Sequence, residues 1–226
     1  MTLIAAWKRK VGNIGELVIA SDSRLTGGMR WDCGPKVFPL PRGDCVLAFA
    51  GHSYYAYPLI LQLINWSEDF NRASKRALDI CDVKGHIERA CTHLLAEVDL
   101  SGLHPSTFEV DFRLLFAGYS WRSQRFFIWI SNIDSDRRFT FTEPPKPKRG
   151  VVFVGNDTDE AYEKLLRKLR PKLISNIPEC EKFTDWEPLD VLVDMARDPD
   201  LNNIGGPPQI VKVYPYLNSM LYAIPW

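Results

Sequence analysis

Three things are scarce in this chain of 226 residues: charge of one sign, paired cysteines and long apolar runs. Lys and Arg together number 28, as do Asp and Glu, so the formal net charge is zero. That balance gives no reason to expect nucleic acid or an anionic membrane as partner. The five cysteines (Cys33, Cys45, Cys81, Cys91 and Cys180) are odd in number and contain no C-x-x-C pair. Reduced, mostly buried thiols in a cytoplasmic protein fit this usage better than a disulfide framework, and Cys33 is expected to be a small buried hydrophobe. His86 and His93 are seven residues apart, yet no acid or Cys stands at metal-ligand spacing, so no metal and no other cofactor is expected. No apolar run reaches spanning length, and the first residues lack a charged-then-apolar signal pattern.

What is present is ordinary in amount and informative in order. With 46% hydrophobic residues, the chain can bury one sizeable core and reads as a single domain, residues 1–226. Leu3–Trp7 and Glu16–Thr26 are β-rich runs separated by the Val11–Gly15 turn segment, the pattern of a hairpin. Lys36–Leu40 and Cys45–Ala50 follow, joined by a turn at Pro41–Asp44. A helix is expected from about Ser53 to Trp66, then a polar connection, Ser67–Arg76, then a helix from about Val83 to Leu100. In the second helix Ile87, Cys91, Leu94, Leu95 and Val98 recur at helical spacing on one side. Phe108–Gly118, Arg125–Ile130 and Arg137–Thr142 read as a strand meander, Glu143–Gly150 as a Pro-rich basic loop and Val151–Gly155 as a buried strand. Helices from Asn156 to about Leu173 and from Pro188 to Arg197, then strands at Gln209–Val213 and Ser219–Ile224, complete the chain.

The chemistry concentrates in the first fifty residues. Removal of Met1 would make Thr2 the N-terminus. A Thr hydroxyl is a weak nucleophile until a base takes its proton, and the free α-amino group of the same residue can be that base. Its reference pKa, near ~8, suits the task, and a neighbouring ammonium lowers it further. Lys36 can supply that charge and Asp22 can hold Lys36. The backbone N–H of Gly51 can face a developing oxyanion, because no Cβ hinders close approach there. With Met1 attached, the nitrogen of Thr2 is an amide and cannot act as a base.

Thr2, Ala20-Ser21-Asp22-Ser23-Arg24-Leu25-Thr26, Lys36-Val37 and Ala48-Phe49-Ala50-Gly51, in that order, resemble the signature of proteasome β-type subunits and bacterial proteasome-like N-terminal nucleophile (Ntn) hydrolases. The resemblance implies an α+β fold, a four-layer αββα sandwich of two antiparallel sheets flanked by helices, and threonine-type peptide hydrolysis. It implies Thr2 as nucleophile, Asp22 and Lys36 as the charge pair and Gly51 as oxyanion donor. Thr26 takes the strand position whose backbone binds substrate, and Leu25, Gly34, Phe49 and Ser53 would line the primary specificity pocket. A Phe at its base would favour small or medium uncharged side chains. Peptide or unfolded-protein substrates and a ring or helical homo-oligomer are implied too, and the sequence leaves open whether an ATPase unfoldase is a partner.

The chain also departs from that family. After the Gly that ends the strand matching Val151–Gly155 the family has a Ser, and here stands Asn156. An amide accepts and donates hydrogen bonds but does not relay a proton as a hydroxyl does. Near the Gly205-Gly206 pair, Leu201 and Ile204 occupy the family's Asp and Ser positions, with Asp200 one residue away. Two alternatives to the peptidase therefore stay open. One is a catalytically silent proteasome-like scaffold or regulatory subunit; the other is an Ntn amidase acting on a small-molecule amide.

Overall fold

A computed structural model of the chain describes residues 2–27, 29–98, 112–145, 150–174, 184–216 and 218–223. The expectations on Met1, Cys180, His104 and the Phe108–Asp111 strand start lie outside these residues. The fold is mixed α+β, with antiparallel sheets and few helices. One sheet has five strands in the order β10 (Val151–Gly155), β1 (Leu3–Val11), β2 (Ile14–Ser21), β11 (Gln209–Tyr214) and β12 (Asn218–Ala223). The other runs β5 (Val37–Pro39), β6 (Cys45–Gly51), β7 (Phe112–Ser120), β8 (Arg125–Ile133) and β9 (Phe139–Thr142). A separate two-stranded ribbon, β3 (Leu25–Gly27) with β4 (Met29–Trp31), leaves the first sheet. The helices are α1 (Ser53–Asp69), α2 (Asn71–Ser74), α3 (Ile80–Ala96), α4 (Thr158–Ile174) and α5 (Glu187–Arg197).

Successive side chains of a strand point to opposite faces, so a strand covered on both sides reads as a continuous apolar run. β1 does so. Ile4 and Ala6 join Leu17 and Ile19 of β2 against Val46, Ala48, Leu115 and Ala117 of the second sheet. Leu3, Ala5 and Trp7 face the other way, onto Ala161 and Leu165 of α4 and Val191, Leu192 and Met195 of α5. On the far side of the second sheet, Leu47, Phe49, Leu114 and Phe116 pack against Ile60 and Leu63 of α1 and Val83, Ile87 and Cys91 of α3. The end of β1–β2 where Thr2 lies is thereby packed on both faces, while the hairpin end at Val11 and Ile14 is exposed.

Several boundaries differ from the sequence reading, each for a local reason. The run read as one strand through Thr26 stops pairing at Ser21. Asp22, Ser23 and Arg24 turn away, and the Gly34 N–H donates to the Ser23 carbonyl at 2.8 Å, folding β3–β4 into a side ribbon. Helix α3 begins three residues before Val83, because Asp79 caps it. The Asp79 carboxylate accepts from Cys81 N at 3.0 Å, and Asp82 reaches back to Asp79 N at 3.2 Å. The polar connection carries the short helix α2, and β9 starts at Phe139 because Arg137 adopts φ 61° in the preceding turn. Cys33 is exposed, against expectation; it sits in the turn that brings the solvent-facing ribbon back to the body. Cys45 and Cys91 are buried free thiols, and burial pushes the Cys91 thiol up to about 12. No described helix is long and apolar enough to cross a membrane.

Asp79 does more than cap. Its other oxygen accepts from Ser120 Oγ at 2.9 Å and from Arg122 N at 3.2 Å, so one buried carboxylate ties α3 to the β7–β8 turn. Removing it loses a cap and strands buried donors. Asp79→Ala is expected to cost about 2–3 kcal/mol in urea denaturation, whereas Asp82→Ala, which loses only the reciprocal arm, costs less than about 1 kcal/mol.

Candidate functional site

At the start of β1, β10 pairs with Leu3–Trp7 and the Leu3↔Gly155 register brings Thr2 beside Asn156. Asn156 N donates to the Thr2 carbonyl at 2.9 Å, and the Thr2 nitrogen donates to Asn156 Oδ1 at 3.4 Å. Gly155 is required between them. It lies at φ 115°, and a Cβ there would overlap the Thr2 carbonyl oxygen and crowd Ala50 Cβ at 3.2 Å. The same contact brings the end of β6, Ala50-Gly51, against the end of β10, so the two sheets converge at Thr2. Gly51 itself is half-buried, opposite Phe112. Thr2 is only 1% exposed, and its Oγ1 is buried with no hydrogen-bond partner among the described residues.

Asp22 follows β2 directly, and both of its oxygens are occupied. Oδ1 accepts from Lys36 Nζ at 3.0 Å and from Leu3 N at 3.1 Å. Oδ2 accepts from Lys36 Nζ at 3.1 Å, Gly205 N at 3.1 Å and Arg24 N at 3.2 Å. A single carboxylate oxygen therefore joins the Lys36 ammonium to the peptide N–H that follows Thr2. Neither side chain of the pair is exposed at all. Asp22 is thus no solvated partner of Arg24, and Lys36 no exposed edge-strand lysine. Burial pushes the Asp22 carboxyl up and the Lys36 ammonium down from their ordinary values, and the ion pair with its hydrogen bonds pulls each back.

Residues not singled out from the sequence hold this pair. Arg24 was seen only as a neighbour of Asp22. Its guanidinium is buried and clamps the 201–206 segment, with Nη1 donating to the carbonyls of Ile204 at 2.9 Å and Asn202 at 3.2 Å. Its Nε donates to Asp32 Oδ1 at 2.7 Å. Gly205 lets this happen, since a Cβ there would overlap the Arg24 guanidinium. Gln209 locks the segment before β5: Oε1 accepts from Lys36 N at 2.8 Å, and Nε2 donates to Gly34 O at 2.9 Å. Asp200 stays exposed with only its backbone N–H bonded to Asp198, and Ile204 is fully buried in the core under α5. Neither supplies a polar side chain to the pair; a backbone N–H, that of Gly205, does so instead.

Gly34 lies under Leu25, which occupies the space where a Cβ would go, and Phe49 is fully buried beneath Tyr57. Thr26 and Ser53 instead line an open cleft of about 1290 Å³ between β3, the start of α1 and the end of α3, with His52, Tyr54 and Leu94. Among the described residues no cluster of His, Cys, Asp or Glu could hold a metal ion.

Two outcomes follow from the electrostatics. Removing one member of a buried pair strands the other charge, so Lys36→Ala should cost about 3–5 kcal/mol in urea denaturation, and the double variant Asp22→Asn, Lys36→Met less than that single change. Asp32, held by Arg24 and then Arg30, has its carboxyl lowered to about 2. A depressed acid stabilises above its unfolded value near ~4 and stops doing so as pH falls through the folded value. An NMR titration of Asp32 should thus show a midpoint near 2, moving up in Arg30→Ala; its side chain is 39% exposed, so the effect on global stability is small. No protein-family model matches the chain, and comparison with curated proteins finds no match.

Proposed function

We propose that the chain is a threonine-type peptide hydrolase with the four-layer αββα architecture of proteasome-like Ntn hydrolases, in which Thr2 becomes the nucleophile once Met1 is removed. The observation that carries this reading is the Thr2 hydroxyl: buried, without a hydrogen-bond partner among the described residues, and one residue from the N–H that shares Asp22 Oδ1 with the Lys36 ammonium. An unpartnered buried hydroxyl costs roughly 1–3 kcal/mol, so folding alone gives no reason to keep one there. A reacting carbonyl and a free amine would give it partners.

In the proposed reaction the freed α-amine of Thr2 takes the hydroxyl proton as Oγ1 attacks the substrate carbonyl. Lys36 keeps the amine neutral through its charge, and the carboxylate of Asp22 keeps Lys36 in place and protonated. The tetrahedral oxyanion is met by the Gly51 N–H. The amine then returns its proton to the leaving nitrogen, and water hydrolyses the acyl-enzyme by the same route. Asn156 Oδ1 accepts from the Thr2 nitrogen at 3.4 Å and so orients the amine.

A silent subunit is the second reading, favoured by Ile204, whose buried aliphatic chain stands where the family has a hydroxyl. Intact-mass measurement separates the two, since Met1 retained on most chains favours the silent one. For the hydrolase, Thr2→Ala should lower kcat/KM on short fluorogenic peptides by at least about 10³-fold while Thr2→Ser retains turnover. Asn156→Asp, by placing a negative charge beside the amine, should move the acidic limb of the rate profile to higher pH. Turnover that survives Thr2→Ala would require another nucleophile and end the proposal.

A further inference from the structure

The cleft between β3, α1 and α3 has a volume of about 1290 Å³. Pockets that enclose one small molecule run to roughly 300–1,000 Å³, so this one has room for several residues of a peptide. Its charge is the telling feature. Among the described residues that line it there is no Asp, Glu, Lys or Arg, in a chain of which 25% is charged. A charged side chain entering there would find no countercharge among the described lining residues.

The wall is aromatic instead, and it is fixed in advance. Tyr54, 83% exposed at the rim, stands edge-on to Tyr55 with ring centroids 5.8 Å apart. Tyr55 stacks on Phe112 at 6.2 Å. Tyr57 is braced edge-on by Phe49 at 5.1 Å and by Phe38 at 6.2 Å, while its hydroxyl donates to the Pro35 carbonyl at 2.9 Å. Rings held this way lose little freedom when a ligand arrives, and their edges and faces suit another aromatic or a large aliphatic group. Leu94 and Leu95 at the end of α3 complete the apolar lining. At one end His52 and Ser53 directly follow Gly51 in the chain.

We infer that this cleft binds the uncharged aromatic or large aliphatic side chains of a peptide segment and excludes charged ones, so that the α1–α3 side, rather than the space over Gly34, selects the substrate. The consequence for turnover rests on Thr2 being the nucleophile; the binding does not. The preference is for bulk, unlike the small or medium side chains that a shallow pocket floored by Phe49 would take.

The test uses the full chain carrying Thr2→Ala, which binds without cleaving, and fluorescence anisotropy with three labelled, capped hexapeptides. All are alanine except for one central Phe, Glu or Lys. The Phe peptide should bind at least tenfold more tightly than either charged one. Adding Tyr54→Lys, at a rim position exposed enough to leave the fold intact, should erase most of that preference. Equal affinities for the three peptides, or a Phe preference that Tyr54→Lys leaves unchanged, overturn the inference. Cleavage by the wild-type chain is scored separately. A Phe preference in binding with no Thr2-dependent cleavage ends the peptidase reading and keeps the cleft; cleavage without any preference does the reverse.

Discussion

The structure around the chain's first residues depends on one ion pair, Lys36 with Asp22, from which solvent is wholly excluded. Two charges withdrawn from water are costly unless every remaining lone pair and proton finds a partner. Here the partners come from distant parts of the chain: Leu3 on β1, Arg24 beyond β2, and Gly205 ahead of β11. The pair therefore acts as a geometric constraint. None of these segments can shift without stranding a donor or a charge, which is how the position of Thr2, one residue before Leu3, becomes fixed.

The two sheets set that constraint up. The Leu3–Trp7 half of β1 is apolar on both faces because helices α4 and α5 cover one side and the second sheet the other. An element so enclosed has no polar route for its end except into groups supplied by the fold. Gly155 brings β10 up to the Thr2 carbonyl, and Asn156 then bonds that carbonyl and the Thr2 nitrogen. Among the described residues, what remains without a partner is the Thr2 hydroxyl.

The sequence made the strands legible where burial was two-sided, at Leu3–Trp7, Cys45–Ala50 and Val151–Gly155, since apolar runs bounded by turns leave few alternatives. Thr2, Asp22, Lys36 and Gly51 were named from the sequence through their order and a family resemblance; of these the structure bonds Lys36 to Asp22 and Asp22 to the N–H that follows Thr2. Other features were hidden for identifiable reasons. Gln209 and Gly205 act across more than 170 residues on Lys36 and Asp22, and nothing local marks such contacts. Arg24 stands two residues after Asp22, whereas its guanidinium bonds Asp32 and the carbonyls of Asn202 and Ile204, contacts that local sequence does not mark. Asp82 in place of Glu at the third helical position disguised the capping box of α3. Leu25 covering Gly34 is a packing choice that residue types do not disclose.

The departures from the proteasome-like pattern then take on a particular meaning. Neither the aliphatic Ile204 nor the exposed Asp200 offers a polar side chain to the pair, while Arg24 draws in the carbonyls of Asn202 and Ile204 and the Gly205 N–H donates to Asp22. From this segment the charge pair is thus supported by a backbone N–H. Asn156 is a different matter, because its amide oxygen receives a hydrogen bond and hands no proton on. If Thr2 is the nucleophile, its hydroxyl proton must pass to its own amine directly or through a water. The enclosure of Thr2 then has a chemical purpose, since a short transfer path and a low-dielectric setting strengthen the influence of Lys36 on that amine.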